Sequence, residues 1–263
     1  MVKKRHRNRK TLGSFLWTCG GTVTLLVAWE AGSRIAGSDL IFPGPLTVLE
    51  RYFLLIQNET FFQALLSSFW RVVLGIVISV PLGIGIGIIA SLDKRAYAFF
   101  RPLFAVIAAT PVMSVILIAF LALGAEHTPI FTSFLMIFPI MTSNTIEGAR
   151  AVDPKLLELF KIYKLSLREK IRYLYIPSIM PFILGGLRSS LSLCWKIVVA
   201  AEILVQPARA LGTGMQRARS QLETPELFAW TLATVIAAAL SQFILSLLLK
   251  AVPYSVKKQK GAD

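Results

Sequence analysis

Six long apolar runs account for most of this sequence, near Leu12–Ala31, Phe61–Ala90, Phe99–Leu123, Pro129–Ile146, Ser178–Val205 and Leu227–Leu249. A bilayer's hydrocarbon core is ~30 Å thick and a helix rises ~1.5 Å per residue, so each run can cross it as a helix. No water is present at that depth to satisfy an open backbone, which leaves helices as the natural form. The expected fold is therefore all-α: a polytopic membrane protein of about six transmembrane helices.

Composition agrees. Apolar residues make up 55% of the chain and charged residues only 16%, against roughly 25% charged in soluble domains; mean hydropathy is +0.66. The net charge of +14 does not call for nucleic acid, because membrane proteins gather Lys and Arg on the cytoplasmic side. Cys19 and Cys194 lie in apolar runs and His6 and His127 in polar segments. This gives neither a disulfide framework nor a metal-binding pattern. No catalytic or metal residue is expected.

Charge sets the orientation. Of 28 Lys and Arg, only Arg34, Arg51, Arg209, Arg217 and Arg219 fall on the proposed outer side, and Arg71, Arg188 and Lys196 fall within spans. The rest lie in the N-terminal tail, around 94–101, in the segment 147–177 and at the C-terminus. Both termini are thus expected in the cytoplasm. The run after the basic tail is longer than the ~7–15 residues of a signal-peptide core, which favours a retained first helix. Four regions follow: a basic tail (1–11), a first helix with an outer segment (12–60), a transmembrane domain (61–249) and a basic C-terminal tail (250–263).

Within the spans, Gly83 and Gly87 have the GxxxG spacing that allows close helix approach. Pro81 is expected to bend its helix and Thr110-Pro111 to kink the next span. Phe42–Pro45 reads as a rigid turn before an amphipathic helix over Leu46–Gln57. Residues 206–226 read as an outer connection. Asn144 and Glu147 read as caps for the cytoplasmic end of the fourth span, with a part in an inner gate as the alternative. Arg71 is expected to reach the membrane interface. Arg188, Trp195 and Glu202, spaced by seven with Ser192 close by, form a stripe read first as packing or gating, with Arg188 and Glu202 paired to other helices or snorkelling, and second as a candidate lining for a pathway. Buried charge costs ~2.5–3.5 kcal/mol per residue, so each in-span charge needs water or a partner.

The polar segment 147–177 stands apart. Asp153-Pro154 is a helix start, with Asp as N-cap and Pro at the first helical position. Leu156, Phe160, Tyr163, Leu167, Ile171 and Leu174 recur at helical period, with Lys161, Lys164, Arg168 and Arg172 on another face. Ser166–Glu169 forms a capping box, a second start. The spacing predicts two short helices bent near Lys164–Ser166. On physics alone, such a segment fits a membrane surface as well as a protein partner.

Glu158-Leu159-Phe160, then Lys164, then Leu174-Tyr175-Ile176-Pro177 resembles the EAA loop of ABC-importer permeases: Glu-Ala-Ala, three residues, Gly, nine residues, Ile-x-Leu-Pro. The blocks SSFWRVVLG (67–75), PLGIGIG (81–87), EGARAVDPKLLE (147–158), IPSIMPFILGGLRSSL (176–191) and WKIVVAAEIL (195–204) resemble nitrate/sulfonate/taurine-type permeases. Two departures stand out. Leu159 and Phe160 replace the alanines. Lys164 replaces the glycine, so the bend is expected to be either right-handed or strained.

The resemblance implies a type I importer permease of MetI-like fold in the bacterial inner membrane. It implies a permease homodimer in contact with membrane lipid, two cytoplasmic ABC ATPases and an extracytoplasmic binding protein. The coupling residues would be Leu156, Glu158, Leu159, Phe160, Tyr163, Lys164, Ser166 and Pro177. ATP would be used by the partner, since this chain has no G-x-x-x-x-G-K-[ST] loop; the chain itself needs no cofactor. The solute would be a nitrate-, sulfonate- or taurine-like anion or a vitamin precursor. The alternatives fit less well. A secondary transporter would show an internal repeat with paired broken helices, and an intramembrane enzyme a paired nucleophile and base.

Overall fold

The computed structural model describes the backbone from Val2 to Ala251 and side chains from Trp17 to Lys250, those of Lys161 and Leu167 excepted. The C-terminal lysines Lys257, Lys258 and Lys260 and the basic side chains of the N-terminal tail lie outside the described residues. The helices are α1 (Val2–Ala36), α2 (Pro45–Leu55), α3 (Glu59–Leu92), α4 (Lys94–Ala109), α5 (Val112–Arg150), α6 (Pro154–Ile162), α7 (Leu167–Lys170), α8 (Ile176–Val205), α9 (Leu211–Ser220) and α10 (Thr224–Ala251), with a π-helical turn at Ile171–Tyr175 before α8. Among the described residues, four stretches are long and apolar enough to cross a membrane: Glu59–Leu92, Val112–Arg150, Arg168–Val205 and Thr224–Lys250. α1 contains the first expected run. α4 and the first part of α5 together carry the third, broken where Thr110 and Pro111 turn extended. The rest of α5 carries the fourth, after a break at Gly124, whose φ of 72° is open to glycine but costly for other residues.

The chain forms two compact units. One comprises residues 1–62 and 214–233. Here Gly44 precedes α2, with Pro45 fixing its first turn. The Trp29 indole donates to the Pro43 carbonyl, and the Phe228 ring packs near Trp29 and edge-on to Phe42. Phe61 and Trp230 rings lie 5.4 Å apart. Residues 206–226, expected as a connection, instead contain α9. Leu211, Met215 and Ala218 are buried, at the spacing of one helical face.

The second unit comprises residues 63–213 and, among the described residues, 234–251. α3, α5 and α8 meet through small residues. A Cβ added at Gly83 would lie 2.6 Å from the Met141 Cβ, and one at Gly87 2.5 Å from the Thr145 Cβ. These distances leave room only for hydrogen, and they realise the approach expected from the GxxxG spacing. Buried hydroxyls on α5 turn back to their own helix: Thr132 donates to Thr128, Thr142 to Phe138 and Thr145 to Met141. Their polarity is thus satisfied without a partner helix, and the contacting surfaces remain apolar. Asn144 does the same, donating to the Ile140 carbonyl beside Gly186. This corrects the expected capping role: α5 continues to Arg150, so Asn144 lies inside the helix. Where α4 begins and α5 ends, the Arg150 guanidinium lies over the Tyr97 ring at 4.6 Å.

Candidate coupling loop and buried charge cluster

The loop starts as its local chemistry dictates. The Asp153 carboxylate accepts from the Lys155 backbone N–H at 2.9 Å, capping α6. α6 ends at Ile162, and Lys164 takes φ 50°. The Leu165 N–H then reaches back to the Phe160 carbonyl at 3.1 Å. This is the six-to-one bond of a Schellman end, whose left-handed position favours glycine. Of the two expected forms of the bend, the strained one is realised. The next start is a closed capping box. The Ser166 N–H and Oγ–H donate to Glu169 Oε2 at 2.8 and 2.6 Å, and the Glu169 N–H donates to Ser166 Oγ at 3.3 Å.

The π-helical turn links this box to α8. The Ile176 N–H bonds to the Ile171 carbonyl, and Pro177, with no N–H, follows at once. Leu174 is buried, whereas Leu156, Leu159, Ile162 and Tyr163 are exposed, Ile162 and Tyr163 by more than 70%. Glu158, Lys164 and Ser166 are exposed as well, while Phe160 and Pro177 are half-buried. The loop therefore presents apolar side chains that this chain does not cover.

A different kind of site lies at the other end of α8, about 40 Å along the helix. Glu202 is fully buried. Its Oε1 accepts from Arg71 Nη1 at 3.0 Å, and its Oε2 accepts from Ser68 Oγ at 2.9 Å and from the Gly212 N–H at 3.2 Å. Arg71 also donates to the Arg209 carbonyl at 3.0 Å and, through Nη2, to Glu126 Oε2 at 2.6 Å. Glu126 Oε1 accepts from the Ala208 N–H, and Ser68 Oγ accepts from the Leu211 N–H. Carboxylate, guanidinium and the first N–H groups of α9 satisfy one another, which is what allows charge to be buried. Gly212 permits the approach, since a Cβ there would lie 2.5 Å from the Glu202 Cβ.

This arrangement corrects the reading of Arg71, which is buried and paired rather than extended to the interface. It also separates the proposed stripe. Trp195 and Glu202 are buried, while Arg188, Ser192 and Lys196 are exposed. Glu126, Ser68 and Gly212 carried no signal that singled them out. The one available clue was that Ser68 and Arg71, three apart, share a helical face with charge on it.

Comparison with known proteins agrees with the fold. The chain is 31% identical over 218 residues to the nitrate import permease protein NrtB of Synechocystis sp., covering 76% of this chain and 78% of that one. It is 27% identical over 235 residues to the taurine transport system permease protein TauC of Escherichia coli K12, covering 87% and 84%. The crystal structure of an amino acid ABC transporter with histidines superposes with a TM-score of 0.59 at 18% identity, covering 73% of this chain and 94% of that one. Residues 79–258 match the model for the binding-protein-dependent transport system inner membrane component, and the chain belongs to that family.

Proposed function

We propose that this protein is the permease subunit of an ATP-driven importer in a bacterial inner membrane, with both termini cytoplasmic. Two copies form the pathway for a small solute, two separate ATPase subunits work from the cytoplasmic side, and a binding protein delivers the solute outside. The observation that carries this reading is the apolar surface of α6. Leu156, Leu159 and Ile162 stand exposed on α6 and Tyr163 just after it, with the helix capped by Asp153 and closed by the bond from the Leu165 N–H to the Phe160 carbonyl. A membrane-surface helix would also be amphipathic. Family membership favours a protein partner.

In this reading Leu156, Leu159, Phe160 and Tyr163 seat in a cleft of the ATPase, with Glu158 at its rim. Lys164, Ser166 and Pro177 set the direction in which the push is delivered to α8. Arg188 and Ser192 line the pathway, and Trp195 and Glu202 support it from within the fold. The relatives named for nitrate and taurine make small anions and zwitterions the first solutes to assay.

Co-purification tests the assignment. The tagged permease, co-expressed with its ATPase, should retain it, and Leu159→Glu should release it without loss of folded permease. Retention by Leu159→Glu and Tyr163→Glu together would place the docking surface elsewhere. Cysteine labelling of 155–172 from outside intact cells should fail, and success there would reverse the orientation.

A further inference from the structure

Arg188, Ser192 and Lys196 follow one another at intervals of four on α8, all exposed. Side chains at that spacing lie on one face. Neither cation has a carboxylate within ion-pair distance among the described residues, where the ion pairs are Arg34–Glu30, Arg71–Glu126 and Arg71–Glu202. α8 runs over 30 residues, so Arg188 stands within about 5 Å of its midpoint and Lys196 within about 10 Å. With α8 centred in a bilayer, the hydrocarbon boundary is ~15 Å from that midpoint, beyond the reach of the Arg188 side chain. Two unpaired cations on such a face require water or a counter-charge.

The counter-charge cannot come from another copy of this chain. Of its 14 Asp and Glu, those that fall inside the four candidate membrane spans include Glu126 and Glu202, and both are bound to Arg71. The other acids within those spans, Glu59, Glu147, Glu169 and Glu226, stand within four residues of a span's end.

We infer that Arg188, Ser192 and Lys196 form an anion-selecting stripe along the solute pathway, with the negative charge supplied by the solute itself. The inference rests on the permease reading above but not on its ATPase contacts. Arg188 and Lys196 attract the anion in turn, about 12 Å apart along the helix. Ser192, between them, offers a hydroxyl that serves as donor or acceptor.

The test uses membranes holding the whole importer, with Cys19→Ser to remove the exposed native thiol; Cys194 is buried. Ser192→Cys is labelled with anionic sulfonatoethyl and cationic trimethylammonioethyl methanethiosulfonate, each rate divided by its rate with free mercaptoethanol. The anionic probe should be preferred by about tenfold, the scale of a field from two nearby charges in a cleft. Lys196→Gln should cut the preference to about threefold, and adding Arg188→Gln should abolish it. Equal rates, a preference for the cation, or no reaction with either probe would overturn the proposal. If the preference holds while the ATPase fails to co-purify, the stripe stands and the coupling assignment falls. If the ATPase binds and the preference is absent, the reverse is true.

Discussion

The Arg71 guanidinium meets the Glu202 carboxylate at 3.0 Å, with 7% and 0% of the two side chains exposed. A buried pair of this kind survives only when its remaining donors and acceptors are also met. Here Ser68, Gly212, Arg209 and Glu126 meet them. The cluster ties α3 and the start of α9 to the end of α8, the same helix that the loop after α6 enters at its beginning. A movement of α8 driven from the loop would therefore pull against this anchor.

Removing both members should cost less than the sum of the two single losses. Arg71→Met leaves the buried Glu202 carboxylate without its counter-charge and should destabilise the protein by about 3–5 kcal/mol, whereas Glu202→Leu leaves Arg71 paired with Glu126 and should cost less. The double variant should recover about 1–3 kcal/mol of the summed loss. Thermal unfolding of the detergent-solubilised protein measures all three. Strictly additive losses would mean that the two side chains do not act as a pair.

The three glycines in the α3 segment PLGIGIG should differ sharply. Gly83 and Gly87 face α5 with no room for a Cβ, whereas a Cβ at Gly85 would meet nothing within 4 Å. Gly87→Val should cost about 1–3 kcal/mol by overpacking. Gly85→Val should change the unfolding temperature little. Similar losses at both positions would point to backbone propensity rather than helix contact.

The sequence made some of this structure legible and hid the rest for a physical reason. Spans, caps and the loop bend depend on residues close in sequence, and Asp153, Ser166 and Glu169 behave as their spacing requires. The charge cluster depends on partners far apart: Ser68 and Glu202 are separated by 134 positions. Arg71 and Glu202 were visible as costly charges, but nothing local said that each was the other's remedy. α9 escaped notice because its polar residues and two glycines dilute the apolar pattern that buries Leu211, Met215 and Ala218.

Lys164 should be replaceable with benefit. Its left-handed backbone costs a non-glycine residue roughly 1 kcal/mol, so Lys164→Gly should firm the bend, less a part lost to glycine's freedom in the unfolded chain. The Leu165 amide should then exchange with solvent more slowly, and Lys164→Val should speed it. A faster exchange in the glycine variant would show that the lysine side chain holds the turn by other means.

Seating and transmission should separate within the loop. Leu159 is an exposed apolar side chain on α6, so Leu159→Glu should abolish ATPase retention. Ser166 and Glu169 touch each other and the backbone at the start of α7. Ser166→Ala with Glu169→Gln therefore removes about 1 kcal/mol of capping while leaving the α6 surface intact. The ATPase should still co-purify with this variant. Its hydrolysis should run with less solute moved per ATP, because the frayed start of α7 absorbs motion meant for the π-helical turn and α8. Solute uptake and phosphate release, measured together in proteoliposomes, give the ratio. An unchanged ratio with a measurably looser loop would mean that the push reaches α8 by a route other than the Ser166–Glu169 box.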